Sequence, residues 1–392
     1  MDFHRPVTRI LSAITILAAA AATTAALASR SPATAAPATA APAAATQATQ
    51  ATQGSLTGVS GTSADDVWAV GSGPGGTLTE HWNGARWSVV PSPSPGAGAG
   101  KTSELSGVAA VSPSDAWAVG SYSSGPHEGD TTTLGLIEHW NGRRWSKVAC
   151  PCGSNGSGGP VLAGISAVSG SDIWAVGSGR SGPLIVHWNG RQWAAVPLSG
   201  NKGAQLTAVS ATSARGAWAV GVTRGAGPAL TAHWNGRKWS WVSAPGSATF
   251  NDLRAVAARS PSSAWAGGQS GGAVEALHWN GRKWSAVTGP KITGRSPTFD
   301  AIAAVPGGSP WAVGFRTARS GSRTSELNLI ARWTGTRWVT VSSPDVRLSD
   351  DLLSGVWAAS PRSAWAVGSS GQTQDEPEIL HWNGRSWQLV TP

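Results

Sequence analysis

Few side chains of this sequence could carry chemistry, and most of those lie in Gly- and Ser-rich segments between apolar stretches. Nine of them are candidates for ligand contacts: Tyr122, His127, Glu128, Asp130, Arg316, Arg319, Arg323, Asp375 and Glu376. Paired carboxylates serve glycoside hydrolysis, and a sialidase would need a tyrosine nucleophile with a carboxylate partner and a cluster of three arginines. No GxSxG, HExxH, P-loop or GxGxxG motif occurs in the context that its chemistry needs. The sequence therefore favours binding over catalysis, with a divergent glycoside hydrolase or lyase as an alternative.

Cysteine and histidine give no sign of a metal site. Cys150 and Cys152, in the stretch CPC, are the only cysteines. After export they could form a strained local disulfide or pair between chains, and we favour a local clip of their loop. Six histidines precede tryptophan in a repeated HW element. They belong to different repeats and would lie too far apart to bind one ion, so we expect neither a metal nor another cofactor.

These candidates lie between copies of one repeated unit. A WAVG-type element occurs seven times, beginning at Trp68, Trp117, Trp174, Trp218, Trp265, Trp311 and Trp365. An HWNG-type element follows each copy, with its tryptophan at Trp82, Trp140, Trp188, Trp234, Trp279, Trp333 and Trp382. A third tryptophan always lies five residues later, and a β-branched residue always stands nine positions before the WAVG tryptophan. The constant spacing defines seven repeats of the same fold unit.

Each repeat is predicted to contain four short strands, here called A to D. Strand A holds the β-branched residue, strand B contains WAVG, strand C ends in HW, and strand D begins near the third tryptophan. The segments are rich in Val, Ile and Trp and are bounded by Gly, Pro, Ser and Asn, which favours strands over helices. Four strands at a spacing of 44–57 residues predict an all-β, seven-bladed β-propeller with four-stranded antiparallel blades over residues 54–392.

The lengths of the connections distinguish two faces of such a propeller. The A–B and C–D spans are constant, whereas the distance from the WAVG glycine to the HW histidine is ten residues from Gly71 to His81 and nineteen from Gly120 to His139. The D–A connections also vary. In an up-and-down blade the B–C and D–A loops share one face, and variable loops on a rigid frame usually carry specificity.

The repeated Asn-Gly predicts a two-residue hairpin turn between strands C and D. Such a turn would place an arginine opposite a tryptophan for cation–π stacking. The predicted pairs are Trp140 with Arg143, Trp188 with Arg191, Trp234 with Arg237, Trp279 with Arg282, and Trp382 with Arg385. The pairs could form repeated sites for sugars or anions. We favour a structural role, in which they lock the hairpins while the tryptophan rings fill the spaces between blades.

The first 53 residues predict export and a tether. Arg5 and Arg9 precede an apolar stretch, and the small residues Ala26–Ala28 fit a cleavage site, so residues 1–28 are interpreted as a signal peptide. Residues 29–53 are Ala-, Thr- and Pro-rich and predict a disordered linker. No later apolar run is long enough to span a bilayer. We expect a protein that is secreted, extracellular or associated with the cell wall, without stable membrane insertion after cleavage of the signal.

The repeat pattern resembles bacterial propellers of the BNR/Asp-box and YCF48-like (photosystem assembly factor) type, which carry a GWAVG element followed by an Asp-Gly-Gly turn and a tryptophan. Asn-Gly-Arg replaces that turn here, and the Ser-x-Asp of the Asp box is missing, so the resemblance does not imply sialidase activity. The HW and NG elements also resemble seven-bladed bacterial lectins that bind fucosylated glycans between blades. Kelch and WD40 repeats fit less well.

Charge and loop pattern together suggest a binding scaffold. The net charge is +9, and its cations are scattered along the chain rather than gathered in a run, so anionic partners are favoured in general and no specific nucleic acid is indicated. We expect a non-enzymatic scaffold that recognises a surface glycan, a wall polymer or a secreted protein through its B–C and D–A loops. The alternative is a multivalent lectin with equivalent sugar sites between blades.

Overall fold

Each sequence repeat folds into a four-stranded antiparallel meander in the computed structural model. The structure describes residues 53–96, 102–124, 132–153, 159–223, 227–245, 251–292, 294–320, 323–344, 350–371 and 376–391. Within these ranges the chain is all β, without an α-helix. The signal peptide and nearly all of the linker, together with His127, Glu128, Asp130 and Asp375, lie outside the described residues. Those predictions stay predictions.

The strands follow the predicted order in every repeat. They are β1 Ser55–Ser63, β2 Asp66–Gly73, β3 Gly76–Trp82, β4 Trp87–Val89, β5 Ser103–Ser112, β6 Asp115–Ser124, β7 Thr132–Trp140, β8 Trp145–Val148, β9 Val161–Ser169, β10 Asp172–Gly179, β11 Gly182–Trp188, β12 Trp193–Ala195, β13 Ala204–Ser213, β14 Gly216–Thr223, β15 Leu230–Trp234, β16 Trp239–Val242, β17 Asn251–Ser260, β18 Ser263–Ser270, β19 Ala273–Trp279, β20 Trp284–Ala286, β21 Arg295–Ala303, β22 Trp311–Ser320, β23 Arg323–Trp333, β24 Trp338–Thr340, β25 Leu352–Ser360, β26 Ser363–Ser370, β27 Glu376–Trp382 and β28 Trp387–Leu389.

Hydrogen bonding groups these strands into six sheets. Five sheets have four strands in the order A–B–C–D, and one sheet has eight strands. The larger sheet arises because Val222 in β14 pairs with Asp252 in β17, which joins the meanders of repeats four and five. Both of these repeats keep their own A–B, B–C and C–D pairing.

Tryptophans join consecutive repeats. At each junction the strand B indole of one repeat contacts the strand C and D indoles of the next, as Trp68 contacts Trp145 with ring centroids 5.0 Å apart. The strand B rings are almost fully buried. Trp365 of repeat seven meets Trp87 of repeat one in the same edge-on way at 5.2 Å. The last repeat thus packs on the first, and the array closes.

The innermost strands surround a central channel. A cavity of about 340 Å³ is lined by strand A residues of all seven repeats, from Val59 in the first to Trp357 in the seventh. Most of these residues are small or β-branched, and Trp357 is the only aromatic side chain in this lining. Its ring lies against repeat one, where a Cβ added to Gly61 would come within 2.8 Å of Cη2 of Trp357.

The predicted register of the C–D hairpin is wrong. Trp140 pairs with Trp145, so residues 141–144 form a four-residue turn and Arg143 does not lie opposite Trp140. Asn141 keeps a negative φ, and its Oδ1 accepts hydrogen bonds from the backbone N–H groups of Arg143 and Arg144, both at 3.0 Å. Only the glycine has a positive φ, +87° at Gly142. The asparagine side chain stabilises the longer turn in place of the two-residue one.

The same register correction applies to the other four predicted pairs. These are Trp188 with Arg191, Trp234 with Arg237, Trp279 with Arg282, and Trp382 with Arg385. In the described residues, cation–π contacts join Lys147 to Tyr122 and Arg332 to Trp311, and the predicted pairs are not among them. The five arginines lie exposed at the tips of the turns.

Candidate functional site

The two faces of the ring follow from contacts between turns. A Cβ added to Gly236, in the C–D turn of repeat four, would lie 3.2 Å from Cβ of Arg215 in the A–B turn of the same repeat. Trp234 Nε1 donates to the carbonyl oxygen of Ala214 in that A–B turn at 3.1 Å. The A–B and C–D turns therefore lie side by side on what we call the fixed face. The B–C loops and D–A connections lie at the other ends of the strands, on the variable face.

A cavity of about 620 Å³ lies on the variable face at repeat three. We call it the first cavity. Three segments enclose it: the loop that follows repeat two, the B–C loop of repeat three, and the D–A connection that follows repeat three. Its charged lining residues are Arg180 and Lys202, both exposed, and its apolar wall includes Leu184 and Leu198.

Two residues hold the walls of the first cavity together. Gly182 has φ +138°, and a Cβ there would lie 3.2 Å from the carbonyl oxygen of Lys202, so only glycine allows the two loops to approach this closely. Trp241 in β16 donates from Nε1 to the carbonyl oxygen of Ser199 at 3.0 Å. An indole of repeat four thus anchors the connection that follows repeat three.

The disulfide lies at the edge of the same cavity. Cys150 and Cys152 are joined in the structure, with Cα atoms 5.1 Å apart, and Cys152 lines the cavity. The bridge rests on β7, where a Cβ added to Gly135 would lie 2.9 Å from Cys152 Sγ and 3.3 Å from Cys150 Sγ. It therefore fixes the start of the loop that forms one wall.

The lining of the first cavity combines charged and apolar side chains. Two cations above an apolar wall can hold one anionic or strongly polar group while a flat apolar surface packs beside it. The described residues contain no group of three or more His, Cys, Asp or Glu side chains that could hold a metal ion. In the same part of the chain, no helix is long and apolar enough to cross a bilayer.

The structure separates the predicted arginine cluster of repeat six. Arg319 lies beside Arg295 in a cavity of about 560 Å³, whereas Arg316 lines another of about 320 Å³ with Lys291. The odd spacing of Arg316 and Arg319 along β22 directs them to opposite faces of the strand. Arg323 begins β23, and its side chain lies outside the described residues.

The two other predicted ligand contacts that the structure describes, Tyr122 and Glu376, belong to different repeats. Lys147 Nζ donates to the Tyr122 hydroxyl at 2.8 Å and lies 4.2 Å from its ring centroid, so a cation contacts this phenol. Glu376 is exposed at the start of β27, in repeat seven.

A charged cluster that sequence reasoning missed lies on the innermost strands. Arg254 in β17 donates to Asp300 of repeat six at 2.9 Å and to Asp252 at 3.0 Å. Arg254 stands two residues before Val256, which lines the central channel, so the cluster lies towards the variable end of that channel. Burial raises the pKa of Asp300 even though Arg254 opposes the shift. The cluster connects repeats five and six and places positive and negative charges near this end of the channel.

Three buried glutamates of strand C, Glu80, Glu138 and Glu275, share a raised pKa. Both oxygens of Glu80 and of Glu138 lack a hydrogen-bond partner, as does Oε2 of Glu275. Burial raises the pKa of Glu80 and of Glu275 to about 7. Burial raises the pKa of Glu138 to about 8, against the opposing charge of Lys147. These groups lie inside the scaffold, where burial makes them weaker acids than exposed glutamates.

The repeated histidines stack on the tryptophans of their own repeats. The ring centroids of Trp174 and His187 are 4.1 Å apart, and His187 Nε2 lies 2.7 Å from Asp172 Oδ1. Histidine–aspartate pairs of the same kind occur in repeats one and two. In repeat six Arg332 takes the histidine position and lies 5.2 Å from the Trp311 ring. The HW histidine therefore supports the strand B tryptophan.

Sequence reasoning missed Arg180, Lys202 and Trp241. Of the 23 tryptophans, 21 belong to the three-tryptophan pattern, and the two outside it are Trp241 and Trp357. One anchors the first cavity and the other lies in the channel. The position of these two tryptophans outside the repeated pattern was the signal in the sequence that could have indicated their roles.

Comparison with known proteins supports the fold. No protein-family profile matches this chain, and no curated protein is similar to it. Among solved structures, the BP39L lectin from Burkholderia pseudomallei is similar with a TM-score of 0.51 and 15% identity, over 87% of this chain and 98% of that one. A structure of YCF48 bound to D1 peptide is similar with a TM-score of 0.47 and 17% identity, over 73% and 80% of the two chains.

An enzyme also occurs among the similar structures. A prolyl endopeptidase is similar with a TM-score of 0.51 and 12% identity, over 86% of this chain and 50% of that one. At such low identities these likenesses show a shared architecture only. The chain has the fold of a β-propeller, which is the fold that its sequence resemblance to YCF48-like propellers implied.

Proposed function

We propose that this chain is a secreted, non-enzymatic, seven-bladed β-propeller that binds a surface glycan, a wall polymer or a secreted protein through its variable face. We count repeats four and five as two blades, because each has its own four strands and its own tryptophan junction, and one residue pair joins them. Export is supported by the charged start, the apolar stretch and the small residues of the first 28 positions.

The first cavity is the observation that carries the binding role. It has a volume of about 620 Å³, it is built from three loops whose lengths are free to vary, and it combines Arg180 and Lys202 with an apolar wall. Ligand sites typically have such a shape, with a few polar groups converging on a largely apolar pocket. Trp241 and the disulfide hold two of these loops in place. A ligand would therefore lose less free energy to the ordering of the loops when it binds.

The packing of the tryptophans argues against equivalent sugar sites between blades. A lectin of that kind needs open indole faces in each crevice, whereas the strand C indoles here contact the strand B indoles of the preceding repeats. The hydrolase alternative depends on Glu128 and Asp130, which lie outside the described residues.

The proposal is tested with a glycan array, followed by calorimetry on any bound sugar. One equivalent of ligand per chain is expected, and the double variant Arg180→Ala/Lys202→Ala should weaken binding about tenfold or more. The matched control Lys291→Ala/Arg295→Ala removes the same charge from the variable face outside the first cavity and should bind like the parent. Several equivalents per chain would favour the lectin alternative. Equal binding by both variants would remove the first cavity from consideration.

A further inference from the structure

The fold gathers on one face charges that the sequence scatters. The third and fourth residues of the seven C–D turns read AR, RR, RQ, RK, RK, TR and RS in chain order, which gives ten cations. All ten are exposed. We call them the basic rim. Because every C–D turn lies between the two outermost strands of its repeat, the rim follows the outer part of the fixed face.

The neighbouring A–B turns strengthen this charge. Two of them add cations, because Arg215 lies beside Gly236 and Arg362 lies beside Gly384. The A–B turns also contribute four carboxylates, and three of these hydrogen-bond to histidines at 2.7–2.9 Å. Only Asp65 is exposed among the four. Twelve cations therefore face four carboxylates on the fixed face.

The cations of the basic rim are not neutralised by the fold. In the part of the chain that the structure describes, the ion pairs join histidines to aspartates or involve Arg254, and none includes a side chain of the rim. The hydrogen bonds of the rim residues there are made by their backbone, as at Arg143 and Arg144. The turn geometry needs the asparagine and the glycine but places no demand on the two residues that follow.

We propose that the basic rim binds an anionic polysaccharide that runs along the outer edge of the fixed face. Eight of the ten cations are arginines, whose planar guanidinium groups can bind carboxylates or sulfates in a bidentate way. A flexible polymer with a charge on each sugar can contact several turns in succession. This surface is separate from the first cavity and does not depend on the proposed function of the variable face.

The fixed face suits a polysaccharide better than a nucleic acid or a lipid surface. Single-stranded nucleic acids bind by stacking bases on exposed aromatic rings. The indoles of this face are instead packed between repeats, as Trp140 is against Trp68. The described large apolar side chains that are exposed are Val89, Val168 and Leu389, and they form no patch that would enter a bilayer.

The test measures binding of the full chain to polygalacturonate, with neutral dextran of similar length as a reference. The variant removes four rim charges, Arg237→Gln, Lys238→Gln, Arg282→Gln and Lys283→Gln. The matched control removes four charges of the variable-face cavities of repeats five and six, outside the first cavity, Lys291→Gln, Arg295→Gln, Arg316→Gln and Arg319→Gln. At low salt the rim variant should lose at least about tenfold in affinity, and its binding should depend less steeply on salt. The control should stay within about twofold of the parent.

The outcomes separate the proposal from its alternatives. Equal losses in both variants would show a response to net charge alone and would overturn it. Tighter binding to single-stranded DNA or to phosphatidylserine vesicles than to polygalacturonate would also overturn it. If the fourfold variant fails to fold, the double variant Arg143→Gln/Arg144→Gln should still show about half of the loss in salt dependence. Binding at the rim with no ligand at the first cavity would contradict the proposed function and leave this inference standing.

Discussion

The fixed and variable faces of the propeller differ in what determines their sequence. On the fixed face the C–D turn glycines have φ between +87° and +98° in all seven repeats, and six asparagines accept the same two backbone N–H groups. Thr334 replaces the asparagine in repeat six. The backbone thus dictates two residues of each turn. On the variable face the loops differ from repeat to repeat in length and in charge.

The difference shows where a repeat protein can vary. Tryptophan junctions and constant turns fix the shape of the ring, so the variable loops can change without loss of closure. The turns themselves leave two positions free, and those positions hold the cations of the basic rim. The repeated Asn and Gly of the C–D turns are therefore required by the structure of the turn, whereas the arginines that follow them are not.

The largest effect is expected from removing an indole of the constant framework. Trp218→Ala should lower the free energy of unfolding by about 3–5 kcal/mol, because Trp218 is buried and its ring centroid lies 4.7 and 4.9 Å from those of Trp279 and Trp284. Trp241→Ala is the matched control from the variable loops and should cost about 1 kcal/mol, since one hydrogen bond to Ser199 is lost. Denaturant unfolding measures both. Equal losses would mean that the loops stabilise the ring as much as the junctions do.

A second effect should appear with pH, because the framework buries acids. Folding raises the pKa of Glu138 from 4.5 to about 8, so the folded chain binds this proton more tightly than the unfolded chain does. The resulting stability is complete below about pH 4.5 and is lost as the pH rises through 8. At pH 9, Glu138→Gln should therefore be more stable than the parent, by roughly 2–4 kcal/mol. At pH 5 the two proteins should unfold alike.

The buried histidines change the stability with pH in the direction opposite to Glu138. The variant is therefore compared with the parent protein at each pH. Burial lowers the pKa of His233, His278 and His381, and their contribution is lost as the pH falls below about 6.5. Both proteins carry these histidines, and the difference between their melting curves isolates Glu138. A difference that does not change between pH 5 and pH 9 would show that the carboxyl group is not buried as the structure has it.

The fold could be predicted from the sequence because each strand carries its own signal at constant spacing. The β-branched residue, the WAVG element and the paired tryptophans placed strands A to D correctly in all seven repeats. The hairpin register could not be obtained in this way. Asn-Gly favours a two-residue turn, but the side chain of Asn141 can accept two backbone N–H groups, and this stabilises a four-residue turn instead.

The first cavity could not be predicted because its residues converge only in three dimensions. Arg180 and Lys202 belong to different loops, and the anchor of the second loop, Trp241, comes from the next repeat. Buried acids were missed for a related reason. Glu138 lies in a strand whose pattern of buried and exposed positions is recognised from its tryptophan and leucine residues. No pattern in the sequence shows that the carboxyl group of Glu138 is buried without a hydrogen-bond partner.

A smaller effect is expected where the framework itself departs from the repeat. Trp357 takes a strand A position that is Ser or Ala in the other repeats, and Gly61 takes one that is otherwise Ala. The two departures fit each other across the junction of repeats seven and one, so Gly61→Ala should cost about 1–3 kcal/mol by overpacking. In a Trp357→Ala background the same substitution should cost less, because the clash with the ring is removed and only the contact with the backbone oxygen of Asp66, 2.7 Å from the added Cβ, remains. A double-mutant cycle measures this coupling, and additive losses would mean that the two residues close the ring independently.

The smallest effect separates a constant turn from a variable loop. Asn235→Ala removes the acceptor for two backbone N–H groups of the C–D turn in repeat four, and we expect a loss of about 1 kcal/mol. Asn201, in the connection at the first cavity, has a positive φ of +54°, and its role is to adopt this backbone conformation rather than to supply a side-chain acceptor. Glycine adopts the same conformation readily, so Asn201→Gly should leave the stability nearly unchanged. Thermal unfolding at one pH compares them. Because repeat six already replaces this asparagine with Thr334, Asn235→Thr should recover part of the loss, and a failure to recover it would mean that the turn depends on more than a side-chain oxygen acceptor.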